Sequence, residues 1–246
     1  MGSAMLDRVN FQTNKTGELD LLIGERAFWS DFRYLRGAEI FGEAEPAEYV
    51  YKIRSGSVRT FKLLPDGRRQ IGAFHLPGDI FGVESGEVYR FTAEAIEDTT
   101  VWIAKLRRIF GECADENVPA SKDVLKLIAR SLQHAENHLL LLGRQTSLEK
   151  VAAFLTEMDQ RLHSPAVMIL PMGRRDIADY LGLTIETVSR VFSILERERI
   201  LSFEGLRHRE IVLHSRAKLA RLALFSELKL EYRGSRDSNL ARGLAV

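Results

Sequence analysis

The chain has 246 residues, 45% of them apolar and 28% charged, a balance that excludes wholesale disorder and a length that suits two domains, or a domain with a long connector, better than one core. No apolar run approaches the roughly 18 to 20 residues of a membrane-spanning helix, and the only cysteine, Cys113, alone forms no disulfide within the chain, no multi-cysteine zinc site and no iron–sulfur cluster. Lys/Arg against Asp/Glu counts are 15 to 19 over residues 1–118, 5 to 5 over 119–160 and 15 to 10 over 161–246, or −4, 0 and +5, so the C-terminal part suits a polyanion and the N-terminal part does not.

From about residue 28 to 105 the chain reads as short strands broken by turns. Period-two alternation marks 49–53 (YVYKI), 57–63 (SVRTFKL), 70–74 (QIGAF), 91–96 (FTAEAI) and 100–104 (TVWIA). Turn residues fall between them at Arg54-Ser55-Gly56, Pro65-Asp66-Gly67, Pro77-Gly78-Asp79 and Ser85-Gly86. Strands this short at this spacing predict a small antiparallel roll or barrel.

After Pro119 the period changes to about 3.5. Leu125, Ile128, Leu132, Ala135, Leu139 and Leu142 are 3, 4, 3, 4 and 3 residues apart, a narrow seam on one long helix that calls for a second helix and makes these six the expected dimer contacts. Gly143 stops that helix. Thr146-Ser147-Leu148-Glu149 is a capping box that starts the next, with Val151, Phe154, Leu155 and Met158 inward, and His163-Ser164-Pro165 ends it. The break near 143–146 is the expected hinge.

Residues 171–197, PMGRRDIADYLGLTIETVSRVFSILER, form a helix-turn-helix pattern. A helix at 174–181 puts Ile177, Ala178 and Leu181 on one face, Gly182 supplies the turn, and Thr184 caps a second helix with Val188, Val191, Phe192 and Leu195 inward. Ile185, Glu186, Ser189 and Arg190 then start the outer face of the second helix, where base edges are met. Arg190 suits guanine O6 and N7, Glu186 accepts from an amino group, and Ser189 suits base or phosphate. An equally local reading pairs Glu186 with Arg190 as an i,i+4 ion pair. Residues 200–213 read as strand, turn at Glu204-Gly205 and strand, a wing. Arg174, Arg175, Thr184, Thr187, Arg207, His208 and Arg209 are the expected phosphate contacts.

Roll, long helix, capping box, RRDIADYLGLTIETVSR and wing, in that order, resemble the CRP/FNR superfamily of bacterial transcription regulators over roughly residues 25–225. The stretch DYLGLTIETVSR is most similar to its FNR and FixK branches, with Glu186, Ser189 and Arg190 in a Glu-x-x-Ser-Arg signature. The resemblance implies an α+β protein: an antiparallel β-roll of the cyclic-nucleotide-binding type (1–118), a dimerisation helix and hinge (119–145), a winged helix-turn-helix (146–232) and a tail (233–246). It further implies a cytoplasmic, non-enzymatic homodimer on a palindromic TTGAT-like DNA site and contact with RNA polymerase, for which exposed Glu84 and Glu87 are the expected residues.

Where the cyclic-nucleotide branch carries Gly-Glu for ribose and Arg-Ser for phosphate, this chain has Gly82-Val83 and Arg90-Phe91. No cyclic nucleotide, iron–sulfur cluster or other cofactor is therefore expected, in the manner of the FixK branch; a member answering to an unidentified small ligand, haem or redox signal is the alternative. His134 and His138 lie at i and i+4 without an evident third ligand, and Cys113 lacks a basic neighbourhood. No nucleophile and base pair, paired carboxylates or phosphate-binding fingerprint indicates an enzyme.

Overall fold

Alternation of apolar and polar residues becomes eight strands among the described residues of the N-terminal part: β1 (Ser30–Tyr34), β2 (Glu39–Phe41), β3 (Tyr49–Ser55), β4 (Val58–Leu63), β5 (Arg69–His75), β6 (Ile80–Phe81), β7 (Thr92–Ala95) and β8 (Thr99–Lys105). They form two antiparallel sheets, ordered β1-β8-β3-β6 and β2-β7-β4-β5. The computed structural model describes residues 30–106, 122–144, 146–162, 166–205 and 209–224.

One core serves both sheets. Phe41, Val58 and Ala93 come from one, Tyr51, Ile53, Phe81 and Val101 from the other, and all are buried in a single cluster with Tyr89, each large side chain contributing roughly 1.5 to 3 kcal/mol by burial. The expected roll is therefore present. Phe41 and Tyr89 stack with ring centroids 3.8 Å apart, and Tyr51 stacks on Phe81 at 5.2 Å. The Tyr89 hydroxyl donates to the Tyr49 carbonyl at 2.8 Å and accepts the Tyr49 N–H at 3.1 Å, so the buried phenol is satisfied. Burial pushes Tyr34 up to about 12 and raises Tyr51 and Tyr89 above the ordinary tyrosine value, which keeps all three neutral at physiological pH.

Helix α1 (Lys122–Leu142) follows, then α2 (Ser147–Leu162), β9 (Val167–Ile169), α3 (Arg174–Leu181), α4 (Ile185–Arg197), β10 (Leu201–Glu204), β11 (Glu210–Leu213) and α5 (Arg216–Leu224). The expected cap of α2 is made: the Glu149 N–H donates to Thr146 Oγ1 at 3.2 Å. The chain divides into two units. Met1–Leu140 joins Pro171–Gly182 in the first, and Leu141–Leu170 joins Leu183–Val246 in the second. Within the second, α2 packs on α4 and α5, and β10, β11 and β9 form a three-stranded antiparallel sheet. Phe192 of α4 meets Phe203 of β10 at 5.8 Å between centroids. Arg216 holds Asp159 through two bonds of 2.7 and 3.0 Å. Among the described residues no helix is long and apolar enough to cross a membrane.

Gly56 turns the chain from β3 to β4 with φ of +84°, and a Cβ there would lie 2.5 Å from Thr99 Oγ1 and 2.6 Å from the Asp98 carbonyl oxygen. Thr99 Oγ1 in turn accepts the Ser57 N–H at 3.1 Å. Gly37 has a similar φ of +80° with nothing within 4 Å. Gly56→Ala is expected to destabilise the protein by about 2 to 4 kcal/mol, and Gly37→Ala by only about 1 to 2, because the first adds a clash to the backbone term that both share. Denaturant midpoints of the two variants check the difference.

Candidate nucleic-acid interface

Helix α3 begins at Gly173, where Asp176 accepts the Gly173 N–H at 3.4 Å, and ends at Gly182, whose φ of 62° is left-handed and whose N–H bonds the Ala178 carbonyl. A Cβ at Gly182 would oppose that conformation by roughly 1 to 2 kcal/mol, so glycine suits the turn. Ile177, Ala178 and Leu181 are buried, as the helical spacing requires. Arg175 is exposed and Arg174 half-buried.

In α4 the Thr184 hydroxyl accepts the Thr187 N–H at 3.2 Å and lies 3.0 Å from the Thr187 hydroxyl. Val188, Val191, Phe192 and Leu195 form its buried stripe. The opposite face belongs to solvent. Glu186, Ser189 and Arg190 are exposed and Ile185 half-buried, so four residues singled out from sequence share the start of one helix and the face its core does not use. Among the described residues neither Glu186 nor Arg190 enters an ion pair, and the i,i+4 pairing is not formed. Both side chains retain their hydrogen-bonding capacity for a ligand. Thr184 and Thr187 are less available, since each hydroxyl is already engaged in the cap.

The wing is a two-stranded ribbon in register from Leu201↔Leu213 to Glu204↔Glu210, with Gly205 at φ of 68° starting the turn. Arg209 is half-buried, and its carbonyl accepts the Leu170 N–H at 2.9 Å. Arg207 and His208 lie outside the described residues, as does Cys113.

On α1, Ile128, Leu132 and Leu139 are 49%, 58% and 71% exposed. Ala135 is exposed and Leu142 half-buried, and the side chain of Leu125 lies outside the described residues. A seam of large apolar side chains at heptad spacing thus faces water in the single chain. His138 stacks on Tyr180 at 4.1 Å and 3°, with Nε2 2.9 Å from the Tyr180 carbonyl.

One expectation in the roll is corrected. Glu84, read from sequence as exposed, has a side chain only 9% exposed, because its carboxylate accepts the backbone N–H and Nε–H of Arg90 at 3.2 and 2.7 Å. The acidic turn around it suggested solvent, and an arginine six residues later supplied a closer partner. Glu87 is exposed as expected. Phe91, where a phosphate-binding hydroxyl would stand by family resemblance, places its ring over Gly72, 2.9 Å from where a Cβ would be.

Two family models match the chain: a cyclic nucleotide-binding domain over residues 31–115 and a Crp-like helix-turn-helix domain over residues 149–222. The nitrogen fixation regulation protein FixK of Rhizobium meliloti is 41% identical over 179 residues, covering 73% of this chain and 81% of its own. The transcriptional activatory protein AadR of Rhodopseudomonas palustris is 44% identical over 173 residues, covering 69% of this chain and 72% of its own. The structure of FixK2 from Bradyrhizobium japonicum superposes with a TM-score of 0.74 at 52% identity, covering 81% of this chain and 99% of that one.

Thr184→Ala removes the side-chain acceptor at the start of α4 and is expected to lower stability by about 1 kcal/mol, with Thr184→Ser restoring most of it. Urea unfolding curves of the three proteins check the order.

Proposed function

Since the chain belongs to the CRP/FNR superfamily of DNA-binding transcription regulators, among its FixK-like members, we propose that it acts in the cytoplasm as a homodimer on a palindromic TTGAT-like site, activates transcription by recruiting RNA polymerase, and needs neither cyclic nucleotide nor iron–sulfur cluster. The observation that carries this reading is the exposed set Glu186, Ser189 and Arg190 on the first turns of α4, whose two charged members enter no ion pair among the described residues. Arg190 takes guanine O6 and N7 through its fork, Glu186 accepts from an amino group on the opposite strand, and Ile185 packs on a thymine methyl. Arg174, Arg175, Thr184, Thr187 and the wing residues Arg207, His208 and Arg209 hold phosphates and set the register.

The exposed seam of α1 supplies the partner surface. Two recognition helices about 34 Å apart enter successive major grooves of an inverted repeat, and a helix pair along Leu125, Ile128, Leu132, Ala135, Leu139 and Leu142 provides the two-fold axis. Independence from cyclic nucleotide rests on the roll: Arg90 is committed to Glu84, Phe91 packs over Gly72, and Val83 carries no carboxylate. Polymerase contact rests with Glu87 more than with Glu84, whose charge is already paired. Activation follows the name of the AadR relative.

Purified protein with nothing added is expected to bind the palindrome with a log–log salt slope of roughly −0.9 per phosphate neutralised. Arg190→Ala should abolish specific binding and leave the weak non-specific component. Ile185→Arg should move preference from T·A toward G·C at one base pair, by about 1 to 3 kcal/mol. Anisotropy titrations against single-base variants decide this, and an unchanged Ile185→Arg profile would remove that side chain from the groove. Ile128→Glu or Leu139→Glu should weaken dimerisation and operator binding together; a variant still dimeric at low micromolar concentration in sedimentation would refute the seam.

A further inference from the structure

Asp176 and Asp179 lie three residues apart on α3 and so share one face of it. On a surface helix such a face is ordinarily left to water. Here, within the first unit, it meets two arginines of the β4–β5 hairpin. Arg59 of β4 donates Nη1 to Asp176 Oδ1 at 3.0 Å, and its Nη2 pairs with Glu94 of β7. Arg69 of β5 donates Nη2 to the same Asp176 oxygen at 2.6 Å and Nε to Asp179 Oδ2 at 2.9 Å. The four side chains are only 12% to 24% exposed. Around them Gln70 reaches the Tyr180 carbonyl at 3.4 Å, Phe74 meets the Tyr180 ring at 5.0 Å, and His138 of α1 stacks on that ring at 4.1 Å.

We propose that this clasp, Arg59 and Arg69 on Asp176 and Asp179, is the chain's built-in substitute for an effector: it fixes the first helix of the helix-turn-helix on the roll in the arrangement that binds DNA. The inference rests on the effector-free reading given above. A roll that answers to a ligand must favour different arrangements with and without it; a roll that receives none needs one arrangement held by its own side chains. Partly buried ion pairs suit that task, because removing one partner strands an uncompensated charge and makes alternatives unfavourable. The electrostatics agree. In helix-turn-helix docking the first helix crosses the DNA backbone, where two unpaired carboxylates would repel phosphates, and the arginines cancel them. These four are positioning residues and touch no base.

The charge and the clasp make opposite demands on one substitution, which gives the test. If Asp179 acts only as a negative charge near DNA, Asp179→Asn tightens binding; if it holds the clasp, Asp179→Asn weakens specific binding. Full-length wild type, Asp179→Asn, Arg69→Gln and the double variant are titrated without effector against the palindrome and a scrambled duplex, with hydrogen exchange followed in α3. The expected result is a tenfold or greater loss for each single variant on the palindrome, no further loss in the double, binding to the scrambled duplex unchanged within threefold, and faster exchange in α3. Arg69→Gln leaves α3 itself intact and so separates loss of the clasp from damage to the helix. Equal or tighter specific binding by both single variants, or additive losses in the double, would overturn the clasp while leaving effector-free activity standing. A wild type that binds the palindrome only after an effector is added would overturn that activity, and the clasp as its device with it.

Discussion

Everything the DNA-reading part does depends on α4 keeping two faces apart. A helix of 13 residues gains little stability alone and must be held by packing, yet a helix that reads bases must offer side chains whose hydrogen bonds are not already made. Val188, Val191, Phe192 and Leu195 meet the first demand and Glu186, Ser189 and Arg190 the second, with no residue serving both. The Thr184 cap satisfies a backbone donor that would otherwise be orphaned, and the helix it caps starts at Ile185, so the exposed residues occupy its first turns.

The limits of α3 and α4 were legible in the sequence because their signals are local. Gly182 and Thr184 act on neighbours within four residues, and the 3.6-residue stripe identifies itself. The same holds for β3, β4, β5, β7 and β8, where alternation runs long enough to show. β6 has two residues, and β2 and β9 have three each, too few for a period-two pattern to stand above chance; they are strands only because a neighbour pairs with them. Glu84 shows the limit in another form: its burial follows from where the loop places Arg90, which charge pattern does not encode. The clasp was least legible of all. Its partners are 107 to 117 residues apart in the chain, and Arg68-Arg69 beside a turn reads as an ordinary solvated pair.

The roll poses a question of volume. A fold that matches a cyclic nucleotide-binding domain has here a core occupied by its own aromatic rings, Phe41 on Tyr89 and Tyr51 on Phe81, with the phenol of Tyr89 satisfied by backbone. The loop from Gly82 to Arg90 is closed on itself by the Glu84–Arg90 pair. Arg90, at a position that resembles a phosphate site, here braces that loop through Glu84.

Charge placement links the roll to the DNA-reading part. The N-terminal 118 residues carry an excess of four acidic groups and the last 86 an excess of five basic ones, which read simply would make the two parts attract each other and leave the basic part less free for DNA. The observed pairs run the other way around at α3, which lies in the roll's unit: roll arginines Arg59 and Arg69 take up acidic groups of that helix. Each such pair removes an acidic charge from the basic segment without using one of that segment's own arginines. Arg190, in the same basic segment, is exposed and enters no ion pair among the described residues. Charge that is neutralised within the roll's unit is charge the recognition helix does not have to overcome.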